Sequence, residues 1–211
     1  MDNKQKKEPK KHWTDQEIED KIKEFDKKIE EHKEQAGEIE VRDAILDKAM
    51  FLKNDALDYV QAEKVFREGY SKSGGASKKM EILFEILLMN IEKLDTDEVK
   101  KDITTCKQLV DEGADWDKKN KLKIFEGVYC MMIRDIKAAA GLFISSIATF
   151  TCTELMSYQD FVFYAVVTSM ISVDRQTLKK EVVHSPDVLS TIRDIKNLKT
   201  FLDSYYHCNY K

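Results

Sequence analysis

The sequence predicts an all-α fold, a tetratricopeptide-like α-solenoid of antiparallel helix pairs preceded by a long amphipathic helix. Three observations support this prediction. Only 7 glycines and 2 prolines occur in 211 residues, which leaves few of the tight turns that a many-stranded sheet needs. Apolar residues make up 42% of the chain and recur every three or four positions, as on helices with one buried face. Small and aromatic residues also fall at the spacing of a helix-turn-helix repeat.

Charge and hydropathy exclude several classes of partner. The 35 basic and 39 acidic side chains give a net charge of −4, so the chain has no overall basic field to hold nucleic acid. The two longest apolar stretches, residues 138–150 and 161–173, have 13 residues each, whereas a membrane span needs roughly 20. The Lys-rich N-terminus lacks the apolar core of a signal peptide. We therefore expect no membrane partner and a location in the cytoplasm and nucleus.

Residues that carry catalysis or bind metals do not form recognisable motifs. The four cysteines are scattered and never form a Cys-x-x-Cys pair, and the four histidines lack metal-ligand spacing. No nucleophile elbow is present, and the glycine-rich stretch 71–77 lacks the Gly-Lys-Ser/Thr ending of a phosphate loop. The sequence predicts no enzyme activity, no metal, no cofactor and no small-molecule substrate.

The N-terminal region is predicted to contain two segments. Residues 1–13 begin with five lysines against two acids and are expected to form a disordered basic tail, although a nuclear-targeting or nucleic-acid role is an alternative. Residues 14–36 are expected to form the amphipathic helix. Thr14 and Glu17 have the spacing of a capping box, and Trp13 and Ile18 that of a hydrophobic staple.

An apolar stripe runs along this otherwise charged helix and is formed by Ile18, Ile22, Phe25 and Ile29. Their spacing places all four side chains on one face. The stripe is predicted either to dock on the repeats of the same chain or to pair with a helix of a partner. The sequence leaves these two interpretations equally open.

Residues 37–211 are predicted to form the helical-repeat domain, in which small and large side chains take fixed packing positions. In the central repeat, Gly127 and Ala139 let two helices approach, Phe143 fills the space towards the next pair, and Asp135 caps the second helix. The corresponding positions in earlier repeats are Ala62, Phe66 and Leu109. Leu109 and Phe143 are 34 residues apart, which is one tetratricopeptide period. Trp116 is expected to cap a helix and to wedge between repeats, with a surface-binding tryptophan as the alternative.

Six short blocks in residues 115–171 also carry a family resemblance. They are Asp-Trp-Asp-x-x-Asn (115–120), Gly-x-Tyr-Cys (127–130), Ile-Arg-Asp-x-x-x-Ala-Ala (133–140), Thr-Phe-Thr (149–151), Glu-Leu-Met-x-Tyr (154–158) and Ser-Met-Ile (169–171). In this order they resemble the helical-repeat half of the non-ATPase regulatory subunit 6 family of 26S proteasome lid subunits, which belong to the PCI class. The block at 39–44 and the closing residues 202–210 resemble the same family.

The resemblance implies a scaffold of the proteasome lid that supports ubiquitin-dependent protein degradation through protein–protein contacts. Its implied partners are other lid subunits and the ATPase subunits of the base. The family's C-terminal PCI domain is expected to be absent from these 211 residues. The glycine-rich stretch 71–77 departs from the family pattern.

Two other functions are compatible with the sequence. A signalosome subunit of the PCI class has the same architecture, although the dense match in residues 115–171 favours the proteasome. An independent tetratricopeptide adaptor would bind peptide or chaperone tails by clamping a carboxylate with Lys and Asn side chains. Asn120 and Lys123 are available for this purpose, but no second repeat supplies a matching set.

Overall fold

The computed structural model describes residues 13–34 and 37–209, which contain helices and no strand. The α-helices of these ranges are α1 (Asp15–Glu34), α2 (Glu38–Asn54), α3 (Tyr59–Ser71), α4 (Ala76–Glu92), α5 (Thr96–Asp111), α6 (Trp116–Met132), α7 (Ile136–Ser146), α8 (Tyr158–Ser172), α9 (Arg175–Leu178), α10 (Pro186–Ile192) and α11 (Leu198–Tyr206). Helices that are neighbours in sequence pack as pairs. The predicted all-α solenoid is confirmed.

The chain divides into two compact units, Met1–Met89 and Asn90–Lys211. In the first unit, α1 packs on α2 and α2 pairs with α3. In the second unit, α5 packs on α6, α6 pairs with α7, and α7 packs on α8. Helices α10 and α11 also contact α8, so α8 is the central helix of the C-terminal region. The predicted basic tail lies outside the described residues except for Trp13.

The start of α1 has the predicted capping box. The backbone N–H of Thr14 donates to a Glu17 carboxylate oxygen at 2.9 Å, and the backbone N–H of Glu17 donates to the Thr14 hydroxyl at 3.4 Å. The predicted stripe docks on its own chain, because Ile29 joins Val41, Ala44 and Ile45 of α2 in one buried cluster. The interpretation in which α1 docks within the chain therefore describes this structure.

The same turn joins consecutive helices at three points of the chain, and no sequence pattern predicted it. Leu57, Leu94 and Arg134 each have a left-handed backbone, with φ of 55°, 60° and 64°. In each case the next residue is an aspartate whose carboxylate caps the following helix, namely Asp58 for α3, Asp95 for α5 and Asp135 for α7. The predicted cap at Asp135 is confirmed. The strained residue before each cap was missed because leucine and arginine rarely adopt this conformation.

Two helix boundaries in the C-terminal region have unusual local geometry. Helix α9 ends at Leu178 and continues as a π-helical segment, Lys179–Val183, after which the backbone N–H of His184 donates to the Lys179 carbonyl at 3.0 Å. Ser185 precedes Pro186 at the start of α10, and its side chain makes no capping hydrogen bond.

Trp116 does not wedge between repeats. It is the first residue of α6 and 64% of its surface is exposed. Asp115 is the residue at the cap position, and its side chain makes no capping hydrogen bond there.

Candidate protein-interaction surface

The predicted packing residues of the central repeat lie against one another. Gly127 of α6 faces Phe143 of α7 so closely that a Cβ atom at position 127 would overlap the Phe143 ring. Ala139 and Phe143 are both fully buried. The absence of a side chain at Gly127 therefore gives the Phe143 ring the space that it occupies.

Phe143 also connects this pair to α8. Its ring meets the Phe161 ring edge-on, with centroids 5.4 Å apart. Phe161 in turn packs on Phe150, with centroids 4.7 Å apart. These rings give α8 one firmly buried face, since aromatic pairs add packing energy beyond the area they bury.

The first pair has a similar close approach that sequence reasoning missed. Ala62 and Phe66 of α3 are buried as a packing role requires. Gly69, one turn further along α3, lies against α2, and a Cβ atom there would come within 2.8 Å of Leu46. The Glu-Gly-Tyr at 68–70 resembles Glu-Gly-x-Tyr at 126–129, and this similarity was the available indication.

In α5, Leu109 is buried, whereas Thr105 is only partly buried and donates its hydroxyl to the Lys101 carbonyl at 3.0 Å. The side chains of Asn90 and Asp102 form a buried hydrogen bond at 3.1 Å.

All six predicted packing residues are in the interior or, for Gly127, against a buried ring. Their role in holding the repeats together stays a prediction that substitutions can test.

The opposite face of α8 is exposed although it is apolar. Phe163, Tyr164 and Ile171 have 41%, 39% and 70% of their surface exposed. Asp160 is the single charged residue of this helix. A helix that is apolar all round is normally covered on every side, so the exposed face of α8 is a candidate contact surface for another protein.

Helix α11 lies against α8 and carries two further exposed aromatic residues. The Tyr205 hydroxyl donates to the backbone carbonyl of Met170 at 2.7 Å, which fixes α11 on α8. Phe201 and Tyr205 of α11 are 56% and 38% exposed. We call these five residues, Phe163, Tyr164, Ile171, Phe201 and Tyr205, the α8–α11 surface.

A carboxylate clamp of the kind used by peptide-binding adaptors does not form in α6. Asn120 is buried, at 4% exposure, and its amide nitrogen has no hydrogen-bond partner. Lys123 is only partly exposed. A buried amide cannot reach a peptide on the surface, so this pair does not support the adaptor hypothesis.

Comparison with known proteins identifies the family. A family model described as "26S proteasome subunit RPN7" matches residues 10–181. The chain belongs to this family. It is 41% identical over 199 residues to 26S proteasome non-ATPase regulatory subunit 6 of Oryza sativa subsp. japonica, 39% identical over 194 residues to that of Dictyostelium discoideum, and 34% identical over 195 residues to regulatory subunit rpn7 of Schizosaccharomyces pombe.

These alignments cover 92%, 92% and 91% of the chain but 50%, 50% and 49% of the relatives. The RPN7-family chain therefore spans about half the length of the relatives it matches. The resemblance based on the six blocks is confirmed. None of the helices in residues 13–34 and 37–209 is long and apolar enough to cross a membrane.

The cysteines of this RPN7-family chain are mostly unreactive. Cys106 and Cys152 are buried, and burial raises the pKa of each thiol to about 12. Burial also raises the pKa of Cys130. Because the thiolate is the nucleophilic form, none of these three is poised for catalysis. Cys208 is exposed, and the Arg175 guanidinium donates to its sulfur at 3.3 Å.

Within the described residues, no group of three or more His, Cys, Asp or Glu side chains has an arrangement that could hold a metal ion.

The ion pairs at helix contacts join carboxylates and lysines of adjacent elements. Lys121 of α6 lies 2.8 Å from Glu154 in the segment before α8. Burial is the largest single influence on the pKa of Glu154 and acts to raise it, but the hydrogen bond from Lys121, a backbone hydrogen bond and the charges of Lys121 and Lys118 together lower the pKa. This pair holds the segment in place.

Proposed function

We propose that this chain is a structural scaffold subunit of the proteasome regulatory particle lid, and that it supports ubiquitin-dependent protein degradation through protein–protein contacts, without catalysis of its own. The match of residues 10–181 to the RPN7 family carries this proposal. Its curated relatives are named as regulatory, non-ATPase subunits of the 26S proteasome. The proposed location is the cytoplasm and nucleus.

The α8–α11 surface supports a scaffold role. Charged residues are depleted and aromatic residues enriched at the centres of protein interfaces. This surface consists of four aromatic residues and one isoleucine, and three of the five lie on α8, which has a single charged residue. We propose that another subunit of the regulatory particle covers it. Other lid subunits and the ATPase subunits of the base are the proposed partners, with no small-molecule substrate, membrane or nucleic acid.

The test is affinity purification of the tagged chain from its own cells at low salt, followed by mass spectrometry. Lid and ATPase subunits are expected among the co-purifying proteins. Recovery of signalosome subunits in their place would assign the chain to that complex, and recovery of chaperones alone would favour an independent adaptor. Either result would contradict the proposal.

A further inference from the structure

We propose that the partner on the exposed face of α8 is an α-helix of another regulatory-particle subunit, which packs along this face and carries a Lys or Arg side chain opposite Asp160. Asp160 is followed by Tyr164, Val167 and Ile171 at the spacing i, i+4, i+7 and i+11. All four residues are exposed or partly exposed. Their spacing places them on one side of α8 over about three turns.

The apolar stripe of α1 has the same spacing, and there the structure shows what covers it. The stripe lies on a helix, α2, with the ring centroid of Phe25 5.7 Å from that of Phe51. Asp26, beside the stripe, lies 2.6 Å from the Lys48 ammonium of α2. Within this chain, a stripe of this spacing with an adjacent acid is therefore covered by a helix that supplies a lysine.

The hydroxyl groups beside the exposed face of α8 are already bonded within the helix. Thr168 donates its hydroxyl to the Tyr164 carbonyl at 2.7 Å, and Ser172 donates to the Thr168 carbonyl at 2.7 Å. The backbone N–H groups in the middle of a helix are bonded to carbonyls of the same helix. The polar groups that this face offers to a partner are therefore the Tyr164 phenol and the Asp160 carboxylate.

This chemistry favours a helical partner over an extended one. An extended segment that covered the face would leave backbone N–H and C=O groups buried without hydrogen-bond partners, which is unfavourable. A helix satisfies its backbone groups internally. It can therefore cover the face with apolar side chains at helical spacing, as amphipathic helices do when they bind apolar surfaces of other proteins.

Asp160 determines the charge that the partner carries. It is the single charged residue of α8, and it is exposed. Its carboxylate accepts a hydrogen bond from the Ser157 hydroxyl at 2.6 Å, and an ionised carboxylate can accept further ones. A helix that covers the stripe removes water from this carboxylate, and a Lys or Arg side chain opposite it compensates for the lost hydration.

The inference rests on the proposed function, so the experiment uses the tagged full chain in its own cells. The photo-crosslinking amino acid benzoylphenylalanine is placed at position 164 or at position 171, and crosslinked peptides are mapped by mass spectrometry. The two positions are about 10 Å apart along the axis of α8. A partner helix spans this distance with about seven residues, and an extended segment with about three. We expect crosslinks from both positions to one subunit of the regulatory particle, at sites about seven residues apart.

Asp160→Asn and Asp160→Lys test the charge in the chain that carries the crosslinker at position 171. We expect the crosslink yield to fall at least about threefold with asparagine, and by a larger factor with lysine, because a charge pair at the interface is lost or reversed. Asp194→Lys, at an exposed residue outside α8, is the matched control and should leave the yield unchanged. Thermal unfolding shows whether each variant is folded.

Samples that are not irradiated report whether lid and ATPase subunits co-purify, which tests the proposed function separately. Crosslinks to such subunits at sites about three residues apart, in separate segments, or from one position alone would overturn the helical partner and leave the proposed function standing. Crosslinks to a second copy of this chain, or none at all, would also overturn it. Crosslinks only to proteins outside the particle would contradict both proposals. A folded Asp160→Lys chain that crosslinks as well as wild type would contradict the basic residue opposite Asp160.

Discussion

Helix α1 carries 14 charged side chains in 20 residues, whereas α8 carries one in 15. Despite this, the apolar stripe of α1 is covered by α2, while apolar side chains of α8 remain exposed. Composition alone would rank α8 as the buried helix and α1 as the surface helix. The difference shows that a charged helix can bury its few apolar residues through a narrow contact, and that an apolar helix can keep one face exposed, where we propose that a partner binds.

The largest expected effect tests the packing beneath α8. Ala139 of α7 is fully buried, so Ala139→Asp places an unpaired charge in the interior and should lower the free energy of unfolding by roughly 4–5 kcal/mol. Gly141→Asp on the same helix is the control, because nothing lies within 4 Å of a Cβ atom there. Thermal unfolding measures both variants. A shift of less than one or two degrees for Ala139→Asp would mean that the repeat register is wrong.

The next prediction compares the two faces of α8 directly with one residue type. Phe161 is fully buried between Phe143 and Phe150, so Phe161→Ala should cost roughly 3–4 kcal/mol of unfolding free energy. Phe163→Ala, two residues away on the exposed side, should change it by less than about 0.5 kcal/mol. Urea unfolding measures both. Equal losses would show that Phe163 is also a core residue and that α8 has no open face.

The two buried thiols make the stability of the protein depend on pH, and this dependence tests their burial. The folded-state pKa values of Cys106 and Cys152 are raised to about 12 from an ordinary value of 9.0. The stability contributed by these neutral thiols is present below pH 9 and is lost as the pH rises from 9 towards 12. Urea unfolding at pH 8 and pH 10 should show a smaller decline for the double variant Cys106→Ala and Cys152→Ala than for wild type. Identical declines would contradict the burial argument.

The smallest effect concerns the N-terminal end of α1. Thr14→Ala removes the hydroxyl of the capping box and should cost about 1 kcal/mol locally. Hydrogen exchange should show faster exchange in the first turns of α1, with α2 and α3 unchanged. Thr104→Ala is a control at an exposed threonine whose hydroxyl bonds only within its own helix, α5, and does not cap it.

Features set by local spacing were predictable from the sequence. The capping box at Thr14, the aspartate cap of α7, and the burial of Ala62, Phe66, Leu109, Ala139 and Phe143 depend on residues within one or two helices. Such patterns show which face of a helix is apolar, and this face largely determines how the two helices of a pair pack.

Other features depend on which other helix lies against an apolar face, and the periodicity of a single helix does not show this. The stripe of α1 was compatible with a partner until its contacts with Val41 and Phe51 were known. Trp116 and Ile171 are apolar residues that no neighbouring helix covers. The left-handed Leu57 and Leu94 were missed because their conformation is imposed by the turn against leucine's own preference.

The central claim is that another proteasome subunit covers the exposed face of α8. The most direct test compares affinity purification of the wild-type tagged chain with that of a double variant, Ile171→Glu and Phe201→Glu, which charges the α8–α11 surface. Gln159→Glu, an exposed position on the same helix, is the matched control. We predict that the double variant keeps the wild-type thermal stability and loses lid and ATPase subunits, while the control retains them. Full recovery of those subunits by a stably folded double variant would contradict the claim.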